Sequence, residues 1–294
     1  MATKADANQI TREYFDSLLI ETRYLDAKIP STKMQLWGEE FETPIMTAAL
    51  SHLGNVCENG MAKLAEAAKM AGAVYWCGMG DETELESITA TGAKTVKIIK
   101  PYENNEDIFR KIEHAVKAGV FAVGMDIDHS FNGNGDYDCV LGYKMRAKST
   151  QEMKAFVEAS PVPFVVKGVL SVQDARKCME AGVSGIVVSH HHGIMDYSIP
   201  PLMILEKIVR EVDGRMEIFV DCGIESGMDA FKALALGAKA VSVGRDLMKP
   251  LKDGSESAAM RIRELNGQLA SVMARTCAET LGDIDSSVIW HRNF

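Results

Sequence analysis

The chain has no excess of positive charge. Its 32 Lys and Arg are outnumbered by 41 Asp and Glu, for a formal net charge of -9. Nucleic acids and anionic membranes require a basic face, so neither is an expected partner. A run of about 18 apolar residues that could span a bilayer is missing, and Met1–Asp6 carries no apolar signal core. Cytoplasmic residence is therefore the expectation. The six cysteines (Cys57, Cys77, Cys139, Cys178, Cys222, Cys277) show no Cys-x-x-Cys spacing, which signals neither a zinc site nor a disulfide framework. A Gly-x-Gly-x-x-Gly turn is also absent, which argues against a dinucleotide-binding doubly wound sheet.

What is present is a repeating pattern. Apolar strand-like segments end in small or polar residues and alternate with helical stretches. The segments begin at Pro44–Ala49, Val74–Gly78, Thr95–Ile99 and Phe121–Asp128, and continue with Phe164–Gly168, Gly185–Gly193, Ile218–Gly223 and Ala240–Arg245. Helices are expected at 59–71, 82–89, 106–117, 150–159, 172–181 (Ser171 as N-cap), 201–212, 227–236 and 255–280. Such units predict an α/β fold, a single (β/α)8 TIM barrel over residues 44–294, with a short N-terminal lead-in at 1–43. Residues 1–14 read as a helix or loose arm, and 15–43 as a segment packed under or around the barrel. The Gly/Asn/Asp-rich stretch His129–Gly142 reads as an irregular loop at the mouth.

Barrel enzymes carry their chemistry at the C-terminal strand ends. Asp221, Gly223, Gly244 and Arg245 end the last two strands, where glycine backbone and a guanidinium suit a phosphate. Lys167 ends the fifth strand; a buried Lys needs an anionic partner, and it could face an electron-rich cofactor edge or form a Schiff base. Ser189, His190, His191 and His192 follow the sixth strand and offer a general base. Adjacent strand residues point to opposite faces, so the His run predicts no metal site. Asp126 and Asp128 share one strand face, where one of them could orient a histidine.

With these residues in hand, the chain resembles the FMN-dependent α-hydroxy-acid oxidase/dehydrogenase family over roughly residues 15–294. The resemblance is densest at Val166–Leu170, Ser189-His190-His191, Asp221-Cys222-Gly223, Phe231–Ala238 and Val243-Gly244-Arg245. It implies FMN as cofactor, with Lys167 at the flavin N1/O2 edge and Ser189 touching the flavin. It implies His191 as catalytic base, Asp128 as its partner, and Asp221, Gly223, Gly244 and Arg245 around the ribityl phosphate. Thr47 and Ala48, on the first strand, would line the flavin.

The departures concern the substrate. The family's Ser-Asn-His-Gly followed by a carboxylate-clamping Arg becomes Ser189-His190-His191-His192, with Ile194 at the Arg position. A second family Arg is Glu225, and strand-three Gln and Tyr positions fall on Ile98 and Lys100. The helix bearing a substrate-contacting Tyr has no match, and the loop after strand four is shorter. The expectation is an FMN-dependent oxidoreductase acting on a CH–OH or related donor. His191 abstracts a proton and hydride passes to flavin N5, on a small non-standard substrate that Lys100, His190 or His192 could recruit. Alternatives are an FMN-dependent isomerase, a flavin-free Schiff-base lyase, or a non-catalytic flavin or phosphate-ligand binder. A closed homo-oligomer is the default assembly.

Overall fold

The structure is a computed structural model that describes residues 5–292. Its centre is an eight-stranded parallel sheet. We number the strands β1 (Ile45–Thr47), β2 (Tyr75–Cys77), β3 (Thr95–Ile99), β4 (Ala122–Asp126), β5 (Phe164–Val169), β6 (Gly185–Val188), β7 (Glu217–Val220) and β8 (Ala240–Val243). The helices that follow them are α1 (Gly60–Met70), α2 (Glu82–Ala90), α3 (Asn105–Lys117), α4 (Thr150–Glu158), α5 (Val172–Glu180), α6 (Pro201–Val212), α7 (Gly227–Ala235) and α8 (Ser255–Ala274). Paired neighbours run β1-β8-β7-β6-β5-β4-β3-β2. A Leu50–Cys77 bridge closes the remaining seam into a barrel. Thr47 reinforces that seam: its Oγ1 accepts from the Trp76 N–H at 2.8 Å.

Alternation along the strands builds two cores. Val96 and Ile98 of β3 turn toward the axis with Trp76, Val165, Val187 and Phe219, while Ile99 packs outward against the helices. The hairpin formed by Met34–Leu36 and Glu39–Phe41 seals this axis, placing Met34, Leu36 and Phe41 in the same cluster. This part of the lead-in packs under the barrel, and the opposite end is left for chemistry. Helix starts follow local capping: Ser171 accepts from the Asp174 N–H, and Ser149 with Glu152 forms a full capping box.

Two expectations shift. The last helix stops at Ala274 rather than Thr280; the chain turns through Cys277 (φ +58°) and returns as Ile289–His291. That strand pairs antiparallel with Leu18–Ile20, so the two ends of the chain share one small sheet. The stretch after β4 is not wholly irregular, since a short helical turn at Asp128–Ser130 precedes a small hairpin, Cys139–Val140 with Tyr143–Lys144. Of the two readings of the first residues, the helix is the one seen: Ala7–Ser17 is a capped helix, with Asp6 accepting from the Asn8 N–H. Residues 1–4 of the predicted helix or loose arm lie outside the described residues. Among the described residues no helix is long and apolar enough to cross a membrane.

Candidate active site at the barrel mouth

Five strand tips converge on one ion-pair network. From β5, the buried Lys167 Nζ lies 3.6 Å from Asp221 Oδ2 and 4.0 Å from Asp126 Oδ1. Ser189 Oγ, at the β6 tip, lies 3.5 Å from the same ammonium and accepts from the His191 N–H at 3.0 Å. His191 Nδ1 donates to Asp128 Oδ1 at 2.7 Å and has Asp126 Oδ1 at 3.3 Å, leaving Nε2 without a partner among the described residues. Lys100 Nζ, at the β3 tip, donates to Asp126 Oδ2 at 2.8 Å.

Two backbone features make this geometry possible. Register shifts between Lys167 and Val169, a β-bulge at Gly168 (φ +91°), where a Cβ would sit 2.5 Å from Asp128 Oδ2. Bulges of this kind re-aim side chains beside active sites. His191 and His192 both adopt left-handed φ (+47° and +55°), which swings the chain away from the strand and turns the His191 ring onto the carboxylates.

The electrostatics follow from burial set against charge. Burial disfavours the Lys167 ammonium, but Asp126, Asp221 and Asp128 outweigh it and hold the lysine above its ordinary range. Burial likewise opposes the His191 imidazolium, yet Asp126 and Asp128 raise its pKa to about 9. Burial and the adjacent Asp126 push Asp128 up to about 6. Asp126 itself, despite burial, is held well below the carboxylate range by Lys167, His191 and Lys100. A lysine locked as an ammonium has no lone pair for a carbonyl, which disfavours the Schiff-base alternative. Ligand atoms of Asp126, Asp128, His129 and His191 all lie within 4.8 Å of one another. Lys100 and Lys167 lie against Asp126 in the same cluster and supply counter-charge to it.

The structure disperses the other proposed substrate residues. His190 is buried: its Nδ1 accepts from the Gly193 N–H at 2.9 Å and its Nε2 meets Thr11 Oγ1 at 2.8 Å. Both ring nitrogens are spent, so His190 has none to offer a substrate; it is a strut to the N-terminal helix. His192 is exposed, with its Nδ1 on Asn8 Oδ1. Lys100 is buried and committed to Asp126. Ile194 is 42% exposed and adds no charge. Thr47 spends its side chain on the β1–β2 seam, which leaves Ala48, partly exposed just after β1, nearer the mouth.

Residues that sequence reading passed over come from Ala7–Ser17. Arg12 donates to Asp229 Oδ1 at 2.9 Å and to the Gly223 carbonyl at 3.3 Å, bracing the β7 loop. Gly223 (φ +88°) faces this helix, since a Cβ there would meet Thr11 Cγ2 at 2.9 Å. The only sequence signal was the polar helical pattern itself. Asp126 and Asp128 share a strand face in the sequence pattern, whereas the bond of Asp126 to Lys100 has no sequence signal.

The mouth suits an anionic aromatic cofactor. Gly244 leaves partly exposed backbone at the β8 tip, and Gly223 at the β7 tip is half-buried with one side closed by the Ala7–Ser17 helix. Arg245 beside them is exposed and makes no ion pair among the described residues. Lys167 stands across the mouth, ready to face a second, electron-rich group. An α/β barrel enzyme that binds such a cofactor at its strand ends is the class these features define. The chain belongs to the FMN-dependent dehydrogenase family, which it matches over residues 1–160 and 142–291. Its cofactor is FMN, and it is an oxidoreductase of the kind that acts on CH–OH donors.

It is 27% identical to an L-lactate oxidase of Roseobacter sp. (strain GAI101), over 88% of this chain and 79% of that protein. It is 25% identical to glycolate oxidase 3 of Arabidopsis thaliana, over 96% and 87%. Mandelate oxidase with 3,3-difluoro-2-hydroxy-3-phenylpropionic acid superposes with a TM-score of 0.90 at 26% identity, covering 99% of this chain and 92% of that one. A mandelate oxidase variant with 2-hydroxy-phenylacetamide gives a TM-score of 0.89 at 25% identity, covering 100% and 92%.

Proposed function

We propose that the protein oxidises a small alcohol that carries no carboxylate, with His191 as the base. The observation that carries this reading is the charge count at the mouth. Lys100 and Lys167 are spent on Asp126, Asp128 and Asp221, and a neutral His191 adds no charge. Arg245 would go to the FMN phosphate, which leaves no cation for a substrate carboxylate. Ile194 cannot supply the bidentate grip that a guanidinium gives a carboxylate. A 2-hydroxy acid would bring a buried negative charge into a site whose cations are already committed, which costs free energy unless it is paired. The structure of a mandelate oxidase variant with 2-hydroxy-phenylacetamide, a hydroxy compound without a carboxylate, supports this reading.

In this reading Asp128 fixes the His191 ring through Nδ1, and the free Nε2 takes the substrate hydroxyl proton. Asp128 and Asp126 then stabilise the imidazolium. Lys167 offers fixed positive charge beside the group that is being reduced. Ser189 holds the turn that presents His191. Ala48, Asp221, Gly223, Gly244 and Arg245 would hold FMN, which when bound accepts the hydride.

The test is anaerobic mixing of the FMN-loaded protein with lactate, glycolate and mandelate, set against carboxylate-free alcohols such as 2-hydroxy-phenylacetamide. Loss of the oxidised-flavin absorbance with the neutral alcohols alone is expected. Rapid bleaching by any of the acids refutes the carboxylate-free assignment.

A further inference from the structure

The Lys100–Asp126 pair stands apart from the residues that the family resemblance assigns to the flavin or to the His191–Asp128 dyad, yet it sits against both. We propose that Asp126, braced by Lys100, is a positioning residue for His191: a second carboxylate on its Nδ1 side, set beside Asp128. This rests on the reading of His191 as the base.

The geometry carries the argument. Asp126 and Asp128 are two residues apart at the end of β4, so both carboxylates reach the same side of the strand. Lys100 takes Asp126 Oδ2 at 2.8 Å, which turns Oδ1 toward His191, 3.3 Å from Nδ1. Asp126 Oδ1 is buried and has no hydrogen-bond partner among the described residues; His191 at 3.3 Å and Lys167 at 4.0 Å are its compensation. A single carboxylate leaves an imidazole free to tilt about one bond. Two oxygens at 2.7 and 3.3 Å bracket Nδ1, set the ring plane, and so aim Nε2.

A bracketed imidazole also keeps its proton to higher pH. The groups around His191 are Asp126 and Asp128 from β4, Lys100 from β3, Lys167 from β5, and Asp221 with Cys222 after β7. His129 lies edge-on at 4.4 Å, and His192 follows in the chain. Lys167, at 3.4 Å, repels an imidazolium, and the two carboxylates in contact with Nδ1 outweigh it. Removing Asp126 tips the balance toward the lysines.

The experiment is an NMR titration of the FMN-loaded protein with isotope-labelled histidine. The His191 ring is identified by its loss in His191→Gln. Asp126→Asn and the charge-neutral pair Asp126→Asn/Lys100→Met are compared with the unaltered chain. The pair guards against misfolding caused by an unpaired Lys100. We expect the His191 midpoint to fall by about 1–3 pH units in both variants. The pH profile of flavin reduction should move by the same amount, and Asp126→Glu should recover part of the shift. An unchanged His191 midpoint in a variant that keeps its flavin spectrum and melting temperature overturns the proposal and leaves Lys100–Asp126 as a structural ion pair. Failure of the base reading shows separately, as unaltered flavin reduction in His191→Gln.

Discussion

Gly168→Ala tests the link between backbone and base. Gly168 holds φ at +91°, and a Cβ there would lie 2.5 Å from Asp128 Oδ2 and 2.7 Å from its Cγ. Alanine therefore costs free energy twice. Forcing an L-residue into this region costs about 1–3 kcal/mol. At about 2–4 °C per kcal/mol for a domain of this size, the melting temperature falls by several degrees. The Asp128 carboxylate must also move, which weakens a charge-assisted bond to His191 worth about 1.5–3 kcal/mol. If that energy is expressed in the transition state, flavin reduction slows by about ten- to a hundredfold. Thermal melts and stopped-flow flavin reduction read the two effects independently. Adding Asp128→Asn to Gly168→Ala should cost little more in rate, because both act on one contact. A Gly168→Ala protein with unaltered melting and unaltered rate refutes the reasoning.

The remaining predictions concern charge. Because His191 must be neutral to accept a proton and its pKa stands at about 9, flavin reduction should rise through the neutral range, reach half its maximum near pH 9 and level off above it. The same shift has a stability sign: the folded pKa lies above the ordinary value of about 6.5. The contribution is thus complete below that value and lost as pH rises through about 9, so melting curves of the unaltered chain and His191→Gln should converge at alkaline pH. Arg12→Ala removes the 2.9 Å bond to the buried Asp229 and the brace on Gly223. It should cost about 1.5–3 kcal/mol in melts and weaken FMN retention measured by ultrafiltration. Ile194→Arg should bring lactate or glycolate reduction of the flavin into the measurable range, and no gain would show that position 194 does not face the substrate.

The barrel was legible because each unit repeats the same physics. Short apolar runs such as Phe164–Val169 can be satisfied only by burial on both faces, and amphipathic stretches such as Pro201–Val212 cover them. Strand ends were therefore readable, and Lys167, His191 and Asp128 do meet at the mouth. The final helix ran short because its polar extension, Arg275–Thr280, has no apolar stripe to hold it on the barrel, and the turn at Cys277 feeds a strand pair with the far end of the chain.

Local pattern thus decided the fold and the chemical types at each strand tip, since periodicity and turn chemistry act over a few residues; the family showed in the resemblance of the strand-tip motifs. Pairings across the mouth were decided only by closure of the barrel. His190 and His191 are neighbours, yet the left-handed turn at 191 sends one ring to Thr11, 179 positions away, and the other to Asp128. Lys100 finds Asp126 across adjacent strands, 26 positions on. Nothing in a linear pattern says which buried carboxylate will share an imidazole, because that depends on a bulge at Gly168 and on charge balance among six groups that converge only in three dimensions.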